Sequence, residues 1–506
     1  MNTSLARYAL GALVVYVVLC AGIAWWSARR THSESDFFVG GQRLGAFVSA
    51  LAMFASTLSG FGFVGGPGLV YAHGVTSFWI IAATPLGFAL GLLLLARPLR
   101  AAAERERVIS LLDVVHARFQ SRPLRAISAL AILLGCIAYV GTQVLALAVA
   151  VKLVLATAGV GVSMPTLIVV TTVFLVAYCT FGGVLASIYT DVLQGCIMVV
   201  AAVWVFIAAW QTFDGGLPRA IDILAFDSEG AVGAFGVMGP LAALSWFVIF
   251  ALGNVGQPQV VSKILMLRSS QSLKSVLPMT TLAYTLSALL WIGIGLAVRA
   301  AVLEGRIPAL RAADDAAATF LTAFAPPTLA ALVFVGLLSA IMSTADAFLN
   351  LGALTLTHDL PMALTPGLRA RFKRSGKRRL WPARGTTVLL GAAGAYVALV
   401  ASRSSGPLIG LLGALGWSML AATLVPLLAI GLQLKRVSSL AAVLSVAFGL
   451  VANILPELLP QLRPGAIHTG ALSITVTCLV FLSLNAVLAT SPSDRPARDT
   501  AELDLP

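Results

Sequence analysis

The sequence predicts an all-α protein that crosses a membrane many times, and three observations lead to that fold class. The chain of 506 residues is 59% hydrophobic and only 10% charged, whereas a soluble domain carries about 25% charged residues. Its mean hydropathy is +0.96. Apolar stretches of about 20 residues, the length that crosses a bilayer as a helix, recur along the whole chain.

Thirteen apolar stretches are long enough to span a bilayer. Arg29 and Arg30 follow the first one where a small-residue cleavage site would stand, so this span is predicted to be retained. Most of the 33 Lys and Arg residues are assigned to alternate connections, Lys263 among them in the inner loop after the seventh span, and the positive-inside rule therefore predicts an outside N-terminus and a cytoplasmic C-terminus. The predicted spans are 5–28, 43–72, 76–96, 125–155, 163–181, 184–210, 235–257, 274–302, 328–352, 385–402, 406–433, 438–456 and 468–490.

Composition and motifs exclude several classes of protein. The net charge of +13 does not indicate nucleic-acid binding, because the basic residues separate apolar stretches and do not form one soluble face. The five cysteines lie inside apolar segments without a CxxC pair, and no HExxH or GxxxxGK[ST] motif occurs. No nucleophile–base arrangement stands out, and no soluble stretch is long enough for a nucleotide-binding domain. We therefore predict neither an enzyme nor an ATP-driven pump, and no organic cofactor.

The connections carry further predictions. The segment 97–125 mixes acidic residues with arginines and apolar residues, which predicts a short amphipathic helix at the inner surface. The outer loop 211–234 is short and acidic, and the basic run 369–384 is interpreted as a topology-fixing cytoplasmic loop. The tail after Thr490 is rich in Pro, Asp and Ser and is predicted to be disordered.

The second span contains a break on which the functional prediction depends. Residues 55–60 read Ala-Ser-Thr-Leu-Ser-Gly, and four more glycines and a proline follow by position 68. Glycine and proline weaken a helix, and backbone freed at membrane depth persists only where protein buries it or a polar cavity adjoins it. One alternative is a kinked packing helix whose small residues allow close approach. We interpret the break as a discontinuous helix whose free carbonyls bind an ion or a solute.

The seventh span has a second break at 253–258, which reads Gly-Asn-Val-Gly-Gln-Pro. Because it lies five spans after the second span, the two broken helices run in opposite directions. Paired broken helices of opposite direction are typical of inverted-topology repeats with a binding site at the membrane midplane. The two halves share no plain sequence similarity, so the repeat is predicted from spacing alone.

The ninth span is continuous and carries oxygen-bearing groups on one face. The carbonyl of Ala340 and the hydroxyls of Ser343 and Thr344 stand at i, i+3 and i+4, which places them on the same side of a helix. Small hard cations prefer such oxygens, and the freed carbonyls of Ala55 and Leu58 would complete the ligand set. From these residues alone, the alternative that both hydroxyls bond back to their own helix is equally supported.

Asp191 and Asp346 are the carboxylates nearest to membrane depth. Ionisable groups inside a membrane are costly and usually functional. Asp191 is also compatible with a solvated position at the inner boundary. For Asp346 we favour a helix-packing or ion-adjacent role.

Five short runs resemble the sodium/solute symporter family, which includes sodium/proline, sodium/pantothenate and sodium/glucose transporters. They occur in the family's order between about 40 and 360, and the number of spans agrees beyond that point. Each run alone is a weak match, and five in order are a specific one. The runs are Gly40 to Gly45, Ala55 to Tyr71, Phe181 to Asp191, Gly256 to Pro258 and Ala340 to Asp346.

The resemblance implies a fold of the LeuT type, with inverted five-helix repeats formed by spans 2–6 and 7–11, one helix before them and two after. The implied divisions are a first helix and inner loop (1–42), the two repeats (43–210 and 235–433), two C-terminal helices (438–490) and the tail (491–506). It also implies a sodium site that uses the carbonyls of Ala55, Leu58 and Ala340 and the hydroxyls of Ser343 and Thr344. Asp191 would lie near the inner exit of the ion.

The resemblance gives less information about the identity of the solute than about the ion site. The sodium/proline members carry an aspartate at the position of Thr57, and its absence here argues against proline. The runs 63–68 and 117–122 look closer to the pantothenate-type members, which favours a small carboxylate. Plain helix packing is an equal alternative for Tyr139 and Trp246. The predicted solute contacts are Ser56, Thr57, Ser59, Tyr139, Gln143, Trp246 and Gln257.

We therefore predict a secondary active symporter in the plasma membrane, the inner membrane of a bacterium. It takes up a small carboxylate or amino acid, such as pantothenate, a monocarboxylate or proline, together with sodium. Its partners are the solute, the ion and the bilayer, and nucleic acid is not one of them. The oligomeric state, a homo-oligomer included, is left open. The alternatives are a proton-coupled or uncoupled transporter of this fold, in which Asp191 or Asp346 titrates, and a transporter-like nutrient sensor.

Overall fold

The computed structural model describes residues 3–30, 38, 44–105, 108–157, 159–236, 238–365, 380–403, 408–463 and 465–489. Most of the basic run 369–384, most of the run 40–45 and the whole tail 491–506 lie outside these residues. Within them the secondary structure is helical, and one isolated bridge pairs Leu44 with Leu267.

Nineteen α-helices make up the described part of the chain. A π-helical turn, Thr355–Asp359, follows α14, and another, Pro426–Gly431, follows α17. The helices are α1 (Thr3–Ala28), α2 (Ala46–Ala55), α3 (Gly60–His73), α4 (Phe78–Arg105), α5 (Leu111–Phe119), α6 (Arg122–Thr157), α7 (Met164–Trp210), α8 (Gly216–Asp227), α9 (Glu229–Val232), α10 (Gly239–Val255), α11 (Pro258–Leu265), α12 (Leu273–Leu303), α13 (Ala316–Ala323), α14 (Pro327–Leu354), α15 (Leu360–Leu364), α16 (Leu380–Ala401), α17 (Leu408–Val425), α18 (Ser439–Leu458) and α19 (Thr469–Leu488).

By length and composition, ten helical segments of the described residues are apolar enough to cross a membrane. Three shorter apolar helices accompany them, Ala46–Ala55, Met164–Thr180 and Leu415–Gly431. Each of the thirteen predicted spans overlaps one of these segments. The number of crossings and the orientation of the termini stay predictions.

Both predicted helix breaks are confirmed. α2 ends at Ala55 and α3 begins at Gly60, whereas α10 ends at Val255 and α11 begins at Pro258. The four pieces are helical on either side of each gap. The first gap contains residues 56–59, and the Gly- and Pro-rich run that follows it is helical, with Pro67 inside α3. The second gap contains Gly256 and Gln257. The first interruption therefore lies just before its glycines, and the second includes one. The predicted inverted repeat places these gaps in equivalent positions of its two halves.

Three connections differ from or refine the expectation. The fifth and sixth predicted spans are continuous in α7, which bends at Gly183, where φ is 59° and ψ is −159°; glycine adopts this conformation without steric cost. The acidic outer loop 211–234 contains the helices α8 and α9. The amphipathic helix predicted within 97–125 is α5, whose first turn is closed by a capping box between Ser110 and Asp113.

α14 lies at the centre of the molecule. Its most apolar window is 83% buried by protein, against 22% for α1. It packs against α7, α6, α1 and α16, while α12 packs against α7 and against both pieces of the first broken helix, α2 and α3. The helix that carries Ser343 is therefore surrounded by protein, and polar groups on it are shielded from lipid.

Candidate ion and solute site

The gap between α2 and α3 is a tight turn whose hydroxyls partly satisfy their own helix. Ser56 and Thr57 both donate to the carbonyl of Met53, at 3.2 and 3.0 Å. These two predicted solute contacts therefore keep only their acceptor lone pairs for a ligand. Beyond the gap, Ser59 caps α3 by accepting a hydrogen bond from the N–H of Phe61 at 3.3 Å.

α14 touches the broken end of α2 through Ser343. The Ser343 hydroxyl lies 2.7 Å from the carbonyl oxygen of Ala55 and 3.1 Å from that of Ala340. All three residues are fully buried. Three of the five predicted ion ligands thus lie together, although they come from two helices far apart in the sequence. The back-bonding alternative holds at the same time, because Ser343 also reaches the carbonyl of its own helix.

Thr344 carries a buried hydroxyl that has no hydrogen-bond partner among the described residues, and only 1% of the residue is exposed. A buried unpaired polar group costs about 1–3 kcal/mol, and helical threonines usually avoid that cost by bonding back to their own helix. An oxygen in this state fits a cation ligand. Leu58, the fifth predicted ligand, lies in the turn of the gap and is 8% exposed.

The distance between the Ser343 hydroxyl oxygen and the Ala55 carbonyl oxygen would increase if both oxygens bound one ion. Ligand distances of about 2.3–2.6 Å, as for Ca²⁺, a cation of similar size to Na⁺, put neighbouring ligands about 3.4 Å apart. The observed 2.7 Å is a hydrogen-bond length. An ion bound here therefore replaces the hydrogen bond and moves the two oxygens roughly 0.7 Å further apart.

Asp346, three residues after Ser343, is fully buried and is held by hydroxyl groups. The Ser187 hydroxyl donates to one carboxylate oxygen at 2.7 Å, and the Tyr178 hydroxyl donates to the other. In the part of the chain that the structure describes, no Lys or Arg forms an ion pair with Asp346. Tyr178 is a site residue that sequence reasoning missed, because nothing in its local sequence indicates a partner on α14.

Asp191 does not lie at a solvated boundary. It is fully buried, and its carboxylate lies 2.7 Å from the ammonium of Lys263. The same ammonium donates to the carbonyl of Ala52 at 2.6 Å. Charge counting predicts that Lys263 lies in an inner loop, and this prediction is wrong. α11 continues the second broken helix to Leu265 and leaves Lys263 only 3% exposed.

Tyr139 and Gln143 lie one turn apart on α6, close to the first gap. The Tyr139 ring stacks on the Phe348 ring of α14 with centroids 4.4 Å apart, and its hydroxyl interacts with that of Ser59. Gln143 is 3% exposed, and its side-chain carbonyl has no partner within the described residues. This face of α6 therefore supplies an aromatic wall and an unpaired hydrogen-bond acceptor.

The last two predicted solute contacts have packing partners of their own. The Gln257 amide donates to the carbonyls of Gly253 and Trp417, at 3.2 and 3.0 Å, so it fills the second gap and links it to α17. The Trp246 ring stacks on the Phe250 ring with centroids 5.9 Å apart. Gln257 and Trp246 thus have packing partners at the second gap and on α10, and their role as solute contacts stays a prediction.

Tyr284 of α12 is a further residue at the first gap that sequence reasoning did not find. Its hydroxyl donates to the carbonyl of Phe54 at 3.3 Å and interacts with Thr57, and its ring meets the Phe54 ring edge-on at 5.1 Å. No signal in the sequence marks it, because α12 is apolar on most sides and its contact with α2 is purely tertiary.

A second polar cluster lies at the predicted cytoplasmic end of α14. Arg125 bridges the carboxylates of Asp113 and Asp359 at 2.6 and 2.9 Å, and His358 lies 3.0 Å from Asp113. The Asp and His atoms are close enough for a metal ion, but the guanidinium already pairs with both carboxylates, so the cluster is an ion-pair network. Burial raises the pKa of Asp113, but the hydrogen bond and charge of His358, the charge of Arg125 and the N–H of Ile109 outweigh it and hold that pKa well below its usual range.

The sequence matches the pattern of the sodium:solute symporter family over residues 37–449. It is 27% identical to the sodium/pantothenate symporter of Escherichia coli K12, over 70% of this chain and 72% of that protein. It is 27% identical to the sodium/proline symporter of the same strain, over 96% and 94% of the two chains. An osmoregulated proline transporter of Bacillus subtilis is 26% identical, over 87% and 86%.

Two solved structures share the fold. One is a Na⁺-coupled sialic acid symporter in a substrate-bound outward-open state, with a TM-score of 0.80, 19% identity, and 96% and 98% of the two chains covered. The other is a transporter of the nucleobase-cation-symport-1 family, with a TM-score of 0.55, 18% identity, and 90% and 96% covered. Both have the LeuT fold, and the fold class predicted from the sequence is confirmed.

Proposed function

The chain belongs to the sodium:solute symporter family and takes up solute together with sodium, and from that premise we propose which of its residues bind the ion. The proposed ligands are the carbonyls of Ala55, Leu58 and Ala340 and the hydroxyls of Ser343 and Thr344. The contact of Ser343 with the broken end of α2, beside the unpaired hydroxyl of Thr344, carries this proposal. All five ligands are neutral oxygens, which suit a monovalent hard cation.

The family membership confirms the resemblance and the sodium-coupled uptake that the sequence predicted. The relatives are transporters, and the protein is an integral inner-membrane protein. The co-transported ion is sodium and the other ligand is a small solute. The residues that bind either one are our proposal.

In the proposed mechanism, sodium is a bridge between α2 and α14. Without the ion, Ser343 donates to Ala55 across the two helices. The ion replaces that hydrogen bond, takes both oxygens as ligands and gives Thr344 the partner it lacks. Because a ligand shifts a conformational equilibrium only through its different affinities for the two states, α2 and α14 must separate in the state that releases sodium. Each sodium that enters across 100 mV contributes about 2.3 kcal/mol from the potential.

We place the solute at the gap, between α6 and the start of α3. The N-terminus of a half-helix favours an anionic group, and α3 begins there with Gly60. The unpaired side-chain carbonyl of Gln143 accepts a hydrogen bond from an N–H or O–H group. The proposed solute is therefore a small carboxylate that also carries such a donor, which both pantothenate and proline do. Thr57 offers no charge to a substrate ammonium, and this favours the pantothenate type.

Thermal unfolding of the purified protein tests the proposal. The panel contains pantothenate, short monocarboxylates, proline, other amino acids and sugars, each in sodium and in potassium buffer. A ligand that binds only the folded state raises its stability by RT ln(1 + [L]/Kd). We expect one carboxylate to raise the unfolding temperature in sodium and much less in potassium. A shift produced only by sugars, or one indifferent to sodium, contradicts the proposed site.

A further inference from the structure

Lys263 ties together three helices at one buried point. Its ammonium lies 2.7 Å from the carboxylate of Asp191 on α7 and 2.6 Å from the carbonyl of Ala52 on α2, while Lys263 itself belongs to α11. Ala52 precedes the ion ligand Ala55 by three residues, about one helical turn. The two broken helices and the carboxylate of α7 therefore meet at a single positive charge, directly inward of the proposed sodium site.

A small cavity with a mainly apolar lining and a few polar side chains adjoins this ion pair on the way from the sodium site to the predicted inner end of α14. It measures about 30 Å³, room for one water molecule or ion, and Lys263, Gln259 and Asn350 are among its lining residues. Asn350 follows Ser343 by seven residues, so it lies on the same face of α14 about 10 Å further along. An ion that leaves Ser343 along this face reaches the cavity beside Lys263.

The polar groups of the cavity and the ion pair lack enough partners. Both amide atoms of Asn350, the side-chain carbonyl of Gln259 and the second carboxylate oxygen of Asp191 are buried without a hydrogen bond among the described residues. Buried groups of this kind normally have partners. Three of these atoms belong to residues that line the cavity, and the fourth belongs to the adjoining ion pair. Together they indicate a place that water or a passing ion occupies.

The charge at Asp191 restricts how sodium passes. Asp191 is the partner of a buried ion pair, and removal of the cation from such a pair leaves an uncompensated charge that is strongly destabilising. The Lys263 ammonium provides the compensating charge at a hydrogen-bond distance of 2.7 Å, and it repels a second cation in the adjoining cavity. Sodium and the ammonium are thus competitors for the same carboxylate.

We propose that Lys263 is a positioning residue for sodium release, acting as an internal counter-cation on Asp191. It rests on the proposed function, since it assumes that sodium arrives from Ser343 and Thr344. While the ion stays at that site, the ammonium holds Asp191 and closes the inward route. When sodium descends along α14 it takes over Asp191, and the displaced ammonium releases Ala52 and with it the end of α2. The carboxylate of Asp191 is thus paired with a cation at every stage, first the ammonium and then sodium. The ammonium competes for it again, so sodium does not remain bound there.

The test uses ²²Na⁺ as the probe with the full-length protein in proteoliposomes, together with sodium-dependent thermal stabilisation in detergent. In Lys263→Gln the carboxylate of Asp191 has no ammonium partner, so sodium is the only cation that can pair with it. We expect sodium to bind about 10-fold more tightly and ²²Na⁺ release to slow by about 10-fold. Lys263→Arg keeps the charge and should return both values to within about threefold of the wild type. A residue that only supports the fold would lower stability without tightening sodium binding.

Two further variants separate this role from general damage. Arg100→Gln removes another buried cation, which donates to the carbonyl of Leu267 at 2.7 Å and pairs with Glu104; it should lower stability and leave sodium affinity and release unchanged. The double variant Asp191→Asn with Lys263→Gln removes both charges at once. It should release ²²Na⁺ at least as fast as the wild type, without tighter binding, and it decides the question if Lys263→Gln does not fold.

The inference is overturned if Lys263→Gln keeps wild-type sodium affinity and release, or if the double variant binds tightly and releases slowly. It is also overturned if Arg100→Gln reproduces the effect of Lys263→Gln. A wild-type protein without any sodium-dependent stabilisation or ²²Na⁺ flux is a different result. That result refutes the proposed ion site itself, whereas a sodium-responsive wild type with an unaltered Lys263→Gln refutes only the role of Lys263.

Discussion

Thr344→Val is the most discriminating change at the proposed ion site. The Thr344 hydroxyl is buried and has no partner among the described residues. Valine keeps the branched shape and removes the oxygen. If the hydroxyl serves only the ion, the substitution should leave the stability of the ion-free protein unchanged and weaken sodium binding. If the hydroxyl supports the fold instead, the substitution should lower the stability of the ion-free protein and leave sodium binding unchanged.

The magnitudes follow from the geometry. A hydrogen bond to a charged group contributes about 1.5–3 kcal/mol, and loss of a comparable ligand should weaken sodium binding roughly 10- to 100-fold. The ion-free protein no longer buries an unpaired hydroxyl, so its free energy of unfolding should stay the same or rise by up to about 2 kcal/mol. At a sodium concentration 100 times the wild-type Kd, the stabilisation of about 2.7 kcal/mol should fall to about 1 kcal/mol for a 30-fold loss.

The assay is a sodium titration of thermal or denaturant unfolding at constant ionic strength, with potassium as the replacement cation, followed by ²²Na⁺ uptake into proteoliposomes. Thr477→Val is the matched control. Thr477 on α19 is also fully buried with an unpaired hydroxyl, and it packs near Gly449 of α18, in the helices outside the predicted repeats. The control should keep the wild-type sodium midpoint.

Two results of the sodium titration refute the reasoning. One is a Thr344→Val protein with an unchanged sodium midpoint, which removes Thr344 from the ligand set. The other is a Thr477→Val protein that loses sodium dependence to the same extent, which shows that any buried threonine can disturb the response. A strongly destabilised ion-free Thr344→Val protein contradicts the claim that the hydroxyl is unpaired.

Three further predictions concern the same region and the inner cluster. Ser343→Ala should lower the stability of the ion-free protein by about 1–3 kcal/mol, because it leaves the Ala55 carbonyl unpaired, and should also weaken sodium binding; equal stability in potassium contradicts this. Gln143→Leu should weaken the solute affinity, measured from the shift in unfolding temperature, about 10-fold and leave the sodium-induced shift intact. Loss of both shifts would show that Gln143 supports the fold and not the solute. Because the pKa of Asp113 is depressed in the folded protein, its contribution to the free energy of unfolding is present above the usual Asp pKa of about 3.9 and is lost as the pH falls through the folded value. Asp113→Asn should therefore remove this pH-dependent part of the free energy of unfolding, measured between neutral pH and pH 3. An acid profile equal to that of the wild type would contradict the prediction.

The features that could be predicted from the sequence are those that local chemistry determines. Gly256 and Pro258 weaken a helix, so the break at 253–258 is visible in the sequence. The glycines after position 60 indicate the neighbourhood of the first break, but α3 accommodates them and Pro67 as a helix, and the gap itself is the run 56–59. The oxygens of Ala340, Ser343 and Thr344 share a face because helical periodicity places them there. That this face meets Ala55 does not follow from periodicity. The freed carbonyls of the break suggest it, and the resemblance to a family implies the same ligand set.

The features that escaped prediction depend on tertiary contacts or on the exact end of a helix. Counting charges placed Lys263 in a loop, because a lysine near the end of an apolar stretch is usually solvated; its burial depends on a carboxylate 72 positions earlier in the chain. Tyr178 and Tyr284 look like ordinary aromatic residues of apolar helices, and only their hydroxyl partners on other helices make them part of the site. For Trp246 and Gln257 the tertiary structure adds partners that the sequence does not show, the Phe250 ring and the Trp417 carbonyl, while their contact with the solute stays a prediction.

The distribution of charge around the site bears on how such a protein can both capture and release an ion. The proposed ligands are neutral, and the nearest carboxylates are Asp346, bound by hydroxyls, and Asp191, bound by an ammonium. A carboxylate inside the ligand set would hold a monovalent cation in a low-dielectric interior far more strongly than carbonyls and hydroxyls do. Binding would then be tight and release slow. The ligand set is neutral, and the carboxylate further inward is already neutralised by Lys263. This arrangement lowers the free-energy cost of leaving the site and offers sodium no unpaired negative charge that would bind it tightly. This arrangement requires the two cations to exchange on Asp191, and the exchange predicts that removing the lysine alone is worse for transport than removing the lysine and the aspartate together.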